Sequence, residues 1–331
     1  MDYKGMFNKF EKLNILIIGD VMIDSYMWGK VERISPEAPV PIATITNVED
    51  RLGGAANVAL NIMALGANPI LCSVIGEDSK SDIFVSLMEK INITTKGICF
   101  SKNRQTTIKT RIIGNKMQML RVDQEINIPL AEDDEENFIE NILNIMGKEK
   151  IDAIIFQDYD KGVITQNVIN SIVGKANEKK IPICVDPKKR NFLSYKNITL
   201  FKPNLKELKE GLKIDFSAVS MDNLMDASNL LQQKIKSEII FITLSESGVF
   251  IADYRLKKDN MKILPAHKRQ IADVSGAGDT VISVAALSLA IDLPYDIIAQ
   301  ISNIAGGLVC EKVGVVPIDK RDLIEEIYNK L

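Results

Sequence analysis

The sequence predicts an α/β fold built around a mainly parallel sheet, and three observations lead to it. Short apolar runs alternate with longer amphipathic ones along most of the chain, the rhythm of strand, crossover helix, strand. Several of the short runs are almost continuously apolar, as strands buried on both faces must be. Each then ends in a polar residue or glycine, at the edge where open α/β sheets bind their ligands.

In chain order, LNILIIGD is the first strand and ends at Gly19-Asp20. ANVALNIMALG follows as a helix, PILCSVIG as a strand and SDIFVSLMEK as a second helix. The acidic run AEDDEENFIE at 131–140 is the solvated start of a helix, with carboxylates at the positive end of the dipole. DAIIFQD is a strand ending at Gln157-Asp158, TQNVINSIVGKANE a helix, IPICVDP a strand reaching Asp186, and SEIIFITLS a strand ending at Ser245. Two segments break the alternation. Residues 25–52 contain three prolines and the β-like PIATITNV, and residues 105–122 look like two strands about Gly114-Asn115, a turn-prone pair. Both suit a small β lid over the ligand edge of the sheet, and an ordinary pair of surface hairpins fits the pattern equally well. With no internal repeat or long linker, residues 1–331 read as one domain with a lid.

At 331 residues, 46% hydrophobic and 26% charged, the chain carries enough apolar material for a large core, and disorder is excluded. A net charge of -3 from 41 basic and 44 acidic residues provides no global field for nucleic acid or an anionic membrane. An anionic ligand must then be held by local positive groups. Cys72, Cys99, Cys184 and Cys310 lack metal or redox spacing and read as reduced thiols of a cytoplasmic protein. The apolar run after the charged N-terminus is too short for a signal peptide, and no stretch reaches the roughly 20 residues of a membrane span. His267 is the single histidine, so carboxylates must carry the proton chemistry.

The strongest local signal is Asp273-Val-Ser-Gly-Ala-Gly-Asp279 before the helix-compatible TVISVAALSLA. A Gly-Ala-Gly turn opening a helix aims backbone N–H groups at an anion. Asp279, in the first turn beside that hole, can take a proton from an attacking hydroxyl, or it can simply cap the helix dipole. Gly53-Gly-Ala-Ala-Asn57 also leads into a helix. Small residues admit a ligand close to the backbone, and Asn57 offers both donor and acceptor to a sugar hydroxyl; plain turn chemistry is the alternative. In Lys202-Pro-Asn204-Leu-Lys-Glu207, Asn204 and Glu207 have capping-box spacing, and the same two groups can orient the water shell of Mg²⁺. Asp20 and Asp24 follow the first strand as turn formers or as acceptors for polyol hydroxyls. Neither G-x-x-x-x-G-K-[ST] nor G-x-G-x-x-G is present, which argues against a P-loop enzyme and a dinucleotide-dependent dehydrogenase.

Together and in this order, GGAANVA, KPNLKE and DVSGAGD resemble the signatures of the ribokinase-like carbohydrate kinases, over about residues 13 to 318. Ser275 stands where that family usually has threonine and keeps the hydroxyl. The resemblance implies a three-layer sandwich with a β lid, ATP and Mg²⁺ as cofactors, and a homodimer through the lid. It makes Asp279 the base, with Gly276, Ala277 and Gly278 as the anion hole. Asn204, Leu205, Lys206 and Glu207 would face ATP, with Glu207 and Asn204 holding Mg²⁺ through water, and Ser245, Gly248 and Asn303 would wall the nucleotide pocket. Asp24, Gly53, Gly54 and Asn57 would bind the sugar.

GDVMIDSYMWGKVERISPEAPVPI, RLGGAANVALNIMALGA and DYDKGVI resemble one branch of that family, the heptose 7-phosphate kinases of lipopolysaccharide core synthesis. For a distal phosphate the sequence offers Arg33, Arg104, Lys109 and Arg111 on the lid segments and Lys161 after the 153–158 strand. The guanidinium fork favours the arginines. Many members of the branch continue into a nucleotidyltransferase, so a chain stopping at Leu331 implies a separate adenylyltransferase downstream. A kinase for another sugar phosphate or nucleoside, or a non-catalytic sugar or nucleotide sensor, are the alternative expectations.

Overall fold

The structure, a computed structural model, describes residues 3–115, 117–255 and 260–331. Lys116, inside the second expected lid segment, lies outside the described residues, as do Met1, Asp2 and residues 256–259. The chain opens with α1 (Tyr3–Phe10), β1 (Asn14–Gly19) and two long strands, β2 (Val21–Ile34) and β3 (Pro41–Gly54). Then come α2 (Ala55–Ala64), β4 (Asn68–Gly76), α3 (Ser79–Lys90), β5 (Ile98–Ser101), β6 (Ile108–Gly114) and β7 (Met117–Gln124). The middle alternates: α4 (Glu132–Lys148), β8 (Ala153–Gln157), α5 (Gln166–Glu178), β9 (Ile183–Asp186), β10 (Leu200–Phe201), α6 (Leu205–Leu212), α7 (Met221–Ile235) and β11 (Ile239–Thr243). The last part holds β12 (Val249–Asp253), β13 (Met261–Leu264), α8 (Ala277–Ala290), α9 (Tyr295–Val309) and α10 (Lys320–Lys330).

Nine strands form the main sheet in the order β13-β12-β11-β10-β9-β8-β1-β4-β5. Every pair from β5 to β11 is parallel, and only the β11–β12 and β12–β13 pairs at one edge are antiparallel, so β12 alone runs against the rest. Alternate side chains of a strand face opposite ways. Ile15 and Ile17 of β1 accordingly enter one core with α2, α8 and α9, while Leu16 and Ile18 enter a second with α4, α5 and α7. The result is a three-layer α/β/α sandwich of the ribokinase-like kind. β1 lies between β8 and β4, where the strand order reverses, so the ends of β1, β8 and β9 open into one crevice.

The two segments that break the alternation form a separate four-stranded sheet, β3-β2-β6-β7. It extends beyond the expected 25–52 and 105–122. Pairing runs from Val21↔Gly54 to Ile34↔Pro41, because GDVMID and RLGG continue the strands instead of turning away.

One helix matters most for the site. α8 is buried at every position from Asp279 to Leu289, as a helix packed on all sides must be. α9 approaches it closely at Gly306, where a Cβ would come within 2.7 Å of Val281. The first turn of α8 is therefore fixed in place by the core.

Candidate active site

Asp279 sits in that first turn, 5% exposed. Gly276 caps the helix with φ +81, a left-handed conformation suited to glycine. Asp273 shapes the approach by accepting from the N–H of Ser275 at 2.9 Å and of Gly314 at 3.0 Å. The Ala277 N–H turns back toward the Val274 carbonyl at 3.3 Å. Those of Gly276 and Gly278 have no partner among the described residues. Two of the three expected anion-hole amides thus remain open.

Three side chains hold the carboxylate. Asn57 Nδ2 donates to Oδ2 at 2.6 Å, and Oδ1 accepts from Gln157 Nε2 at 3.1 Å and from the Tyr159 hydroxyl at 2.7 Å. Burial pushes the Asp279 pKa up to about 6, against the lowering effect of the bonds from Asn57 and Tyr159. A carboxyl titrating there is ionised at neutral pH and still basic enough to share a proton. Asn57 Oδ1 and Gln157 Oε1 are buried and unpartnered, so two acceptors beside the base await a donor.

Behind Asp279, Lys202 Nζ and Asp186 Oδ2 form a buried ion pair at 3.0 Å, and Gln157 also donates to Asp186 at 3.3 Å. Asn204 and Glu207 realise the capping box: the Asn204 N–H donates to Glu207 at 2.9 Å and the Glu207 N–H to Asn204 Oδ1 at 2.8 Å. The other Glu207 oxygen pairs with Lys188. Burial pulls the Lys188 pKa down, but Asp186 and Glu207 outweigh it and leave it raised. The expectation for the whole 204–207 stretch needs correction. Leu205 packs against the core and the Lys206 side chain is 84% exposed beside Glu210, because helix geometry turns successive residues to different faces.

Among the residues expected to bind sugar, Asp24 pairs with Arg111, and a Cβ on Gly53 would meet Asp24 Oδ2 at 2.2 Å. Gly54 has φ +62 and lies against the Asp20 carbonyl. The basic residues cluster nearby with partners of their own. Lys109 bonds Asp123 and Glu125 at 2.8 Å each, and Lys161 bonds the other Glu125 oxygen at 2.7 Å. Arg104 donates to the Lys161 carbonyl at 2.8 Å; its Nε is buried without a partner. Arg33 does not join them. It is exposed near the far end of β2, roughly 30 Å along the strand from Asp24.

A cavity of about 630 Å³ adjoins α8 and is lined by Ser245, Gly248, Ala277, Gly278, Asn303 and His267 among others. The three residues expected to wall the nucleotide pocket therefore meet at one cavity, continuous with the Gly-Ala-Gly turn. Its size suits a nucleotide. For Mg²⁺, no cluster of three or more candidate ligands occurs among the described residues. A cation that keeps most of its waters needs only one or two carboxylates. Glu207 has both oxygens engaged, by the Asn204 N–H and by Lys188, and would meet such a shell by giving up the Lys188 pairing.

Sequence reasoning missed Gln157, Tyr159, Asp186, Lys188 and Lys202 as members of the site. Gln157 and Asp186 were visible only as polar strand ends, and Tyr159 only as part of DYDKGVI.

Residues 12–321 match the family described as pfkB family carbohydrate kinase. The chain is 38% identical over 319 residues to the bifunctional protein HldE of Aliarcobacter butzleri, covering 96% of this chain and 64% of that one. It is 37% identical over 316 residues to HldE of Methylobacillus flagellatus, covering 96% and 63%. It thus spans a little under two-thirds of the length of these relatives. Among solved structures, phosphofructokinase-2 from Escherichia coli in complex with fructose-6-phosphate superposes with a TM-score of 0.75 at 18% identity, over 96% of this chain and 99% of that one. Arabidopsis thaliana ribokinase complexed with ribose and ATP gives 0.70 at 14% identity, over 95% and 98%. At these identities the structural likeness concerns the fold.

Proposed function

We propose that this chain, which belongs to the pfkB family of carbohydrate kinases, transfers the γ-phosphoryl of ATP to the anomeric hydroxyl of D-glycero-β-D-manno-heptose 7-phosphate, giving the 1,7-bisphosphate. The observation that carries the reading is the position of Asp279. It stands between the nucleotide-sized cavity, which reaches Ala277 and Gly278, and Asn57 of the GGAAN turn. The choice of heptose rests on the RISPEAPVP and DYDKGVI stretches and on the HldE relatives.

Oδ1 of Asp279 is occupied by two donors and Oδ2 by one, so Oδ2 takes the proton of the C1 hydroxyl. Asn57 Oδ1 and Gln157 Oε1 accept from neighbouring sugar hydroxyls, which answers their unpartnered state. The Gly276 and Gly278 amides stabilise the transferring phosphoryl at the helix N-terminus. Mg²⁺, when bound, neutralises charge on the phosphates; Glu207 and Asn204 would hold its water shell. Lys188 and Lys202 add positive charge beside the same site. Most of the acceleration comes from positioning and electrostatics, since phosphoryl transfer asks little covalent chemistry of the protein.

The 7-phosphate would be met by Arg104, Arg111, Lys109 and Lys161, with Glu125 and Asp24 giving up their present partners. Arg33 is too remote to serve its own site. A homodimer through the small sheet, whose Trp28, Val48, Met117, Leu120 and Val122 are exposed, would bring it to a partner. An adenylyltransferase activity would act downstream.

Coupled ADP release with Mg-ATP tests the acceptor. Turnover with the heptose 7-phosphate and not with fructose 6-phosphate or ribose is expected. Preference for another acceptor overturns the substrate, and no turnover with any acceptor favours a sensor.

A further inference from the structure

The DYDKG turn is held by a carboxylate that the chemistry above does not use. Asp20, buried after β1, accepts from the backbone N–H of Tyr159 at 2.9 Å, Lys161 at 3.2 Å and Val163 at 3.0 Å. Asp160 and Gly162, with φ of +61 and +89, supply the left-handed residues that wrap the turn around it. On the other side, buried Asp158 accepts from the Tyr195 hydroxyl at 2.9 Å and from Asn191 at 3.1 Å. A turn tied at both ends delivers the Tyr159 hydroxyl to Asp279 Oδ1 at 2.7 Å. Burial and the adjoining Asp279 carboxylate push the Tyr159 pKa well above its ordinary value. The phenol therefore remains a donor at any working pH.

We propose that Tyr159 is a positioning residue of the phosphoryl transfer: its hydroxyl pins Oδ1 of Asp279, so that Oδ2, bonded only to Asn57, faces the acceptor hydroxyl. The inference rests on Asp279 being the base. An O–H donor on a carboxylate favours the ionised form. Without it, Oδ1 keeps only the longer Gln157 bond, the carboxyl is freer to rotate, and a larger fraction is protonated near neutrality. The other charged groups facing Asp279 are Asp186, which raises its pKa, Lys202, which lowers it, and Lys188. None of the three is altered by Tyr159→Phe, so that variant removes only the phenol oxygen, with its bond to Asp279 and its contact with Gln157.

The test is the pH dependence of kcat/KM for the sugar phosphate, measured for the wild type, Tyr159→Phe and Asp279→Asn. A base is active when ionised, so wild-type activity should fall as pH drops through about 6. In Tyr159→Phe that limb should move to higher pH by about one unit, a tenfold change in the protonation constant, with KM for ATP unchanged. Substituting 3-fluorotyrosine at 159, a stronger donor of nearly the same shape, should move the limb the other way and keeps the test usable if the phenylalanine variant folds poorly. Limbs that coincide with the wild type in these variants overturn the proposal. Undiminished turnover in Asp279→Asn would instead remove the base on which it rests.

Discussion

Asp279 was legible in the sequence because its neighbours announce it: glycines that free the backbone, then an apolar helix. The contacts that tune it were not legible, although Asn57 itself was named, as a sugar ligand. Asn57, Gln157 and Tyr159 reach it from 222, 122 and 120 residues away, and no local pattern encodes such a meeting. The Asn204–Glu207 pair shows the opposite limit, since one spacing serves both a helix cap and a metal's water shell. Lys202 is the residue whose removal should be most costly among the new members. Truncating one partner of a buried ion pair strands the other charge, so Lys202→Met, which leaves Asp186 only the longer Gln157 bond and the nearby Lys188 charge, should destabilise the fold by ~3 kcal/mol, the lower end for a broken buried pair. Urea unfolding monitored by far-UV circular dichroism would show it; a midpoint equal to the wild type would mean that Asp186 finds another partner.

At the level of elements, the alternation of buried strands and amphipathic helices was readable because the βαβ unit imposes different periods on its parts. The antiparallel β12–β13 edge and β5 escaped: β5 and β13 are the two edge strands, where half-exposed residues interrupt the continuous apolar run that marks the interior strands. The small sheet reaches beyond the segments expected for it, from Val21 to Gly54 and on to Gln124, since GDVMID looks like a loop until its partner strand is known. Gly54 marks that junction, ending β3 at a positive φ against the Asp20 carbonyl. An alanine there is strained by ~1–3 kcal/mol and also presses on Asp20, so Gly54→Ala should lower both thermal stability and kcat. Wild-type behaviour in both assays would contradict the tight junction.

For the molecule as a whole, the main sheet brings the carboxyl ends of β1, β8 and β9 to one crevice, and that much follows from strand order once polar strand ends are noticed. Charge placement did not follow. Arg33 and Arg111 lie on neighbouring strands of one small sheet, yet only Arg111 stands beside Asp24, because a 14-residue strand carries its far end well beyond the site. If that far end serves a second copy, Trp28→Glu with Leu120→Glu should yield a monomer and raise KM for the sugar phosphate while leaving KM for ATP near wild type. Sedimentation velocity and steady-state kinetics together check this, and a monomeric wild type would refute it.

The most direct test of the central claim is ³¹P NMR of the product formed from Mg-ATP and D-glycero-β-D-manno-heptose 7-phosphate by the wild type and by Asp279→Asn. A new anomeric phosphate resonance is expected with the wild type, and with the variant its rate of appearance should fall roughly 10²–10⁴-fold. Phosphorylation at another hydroxyl, or an undiminished rate in the variant, would contradict the account.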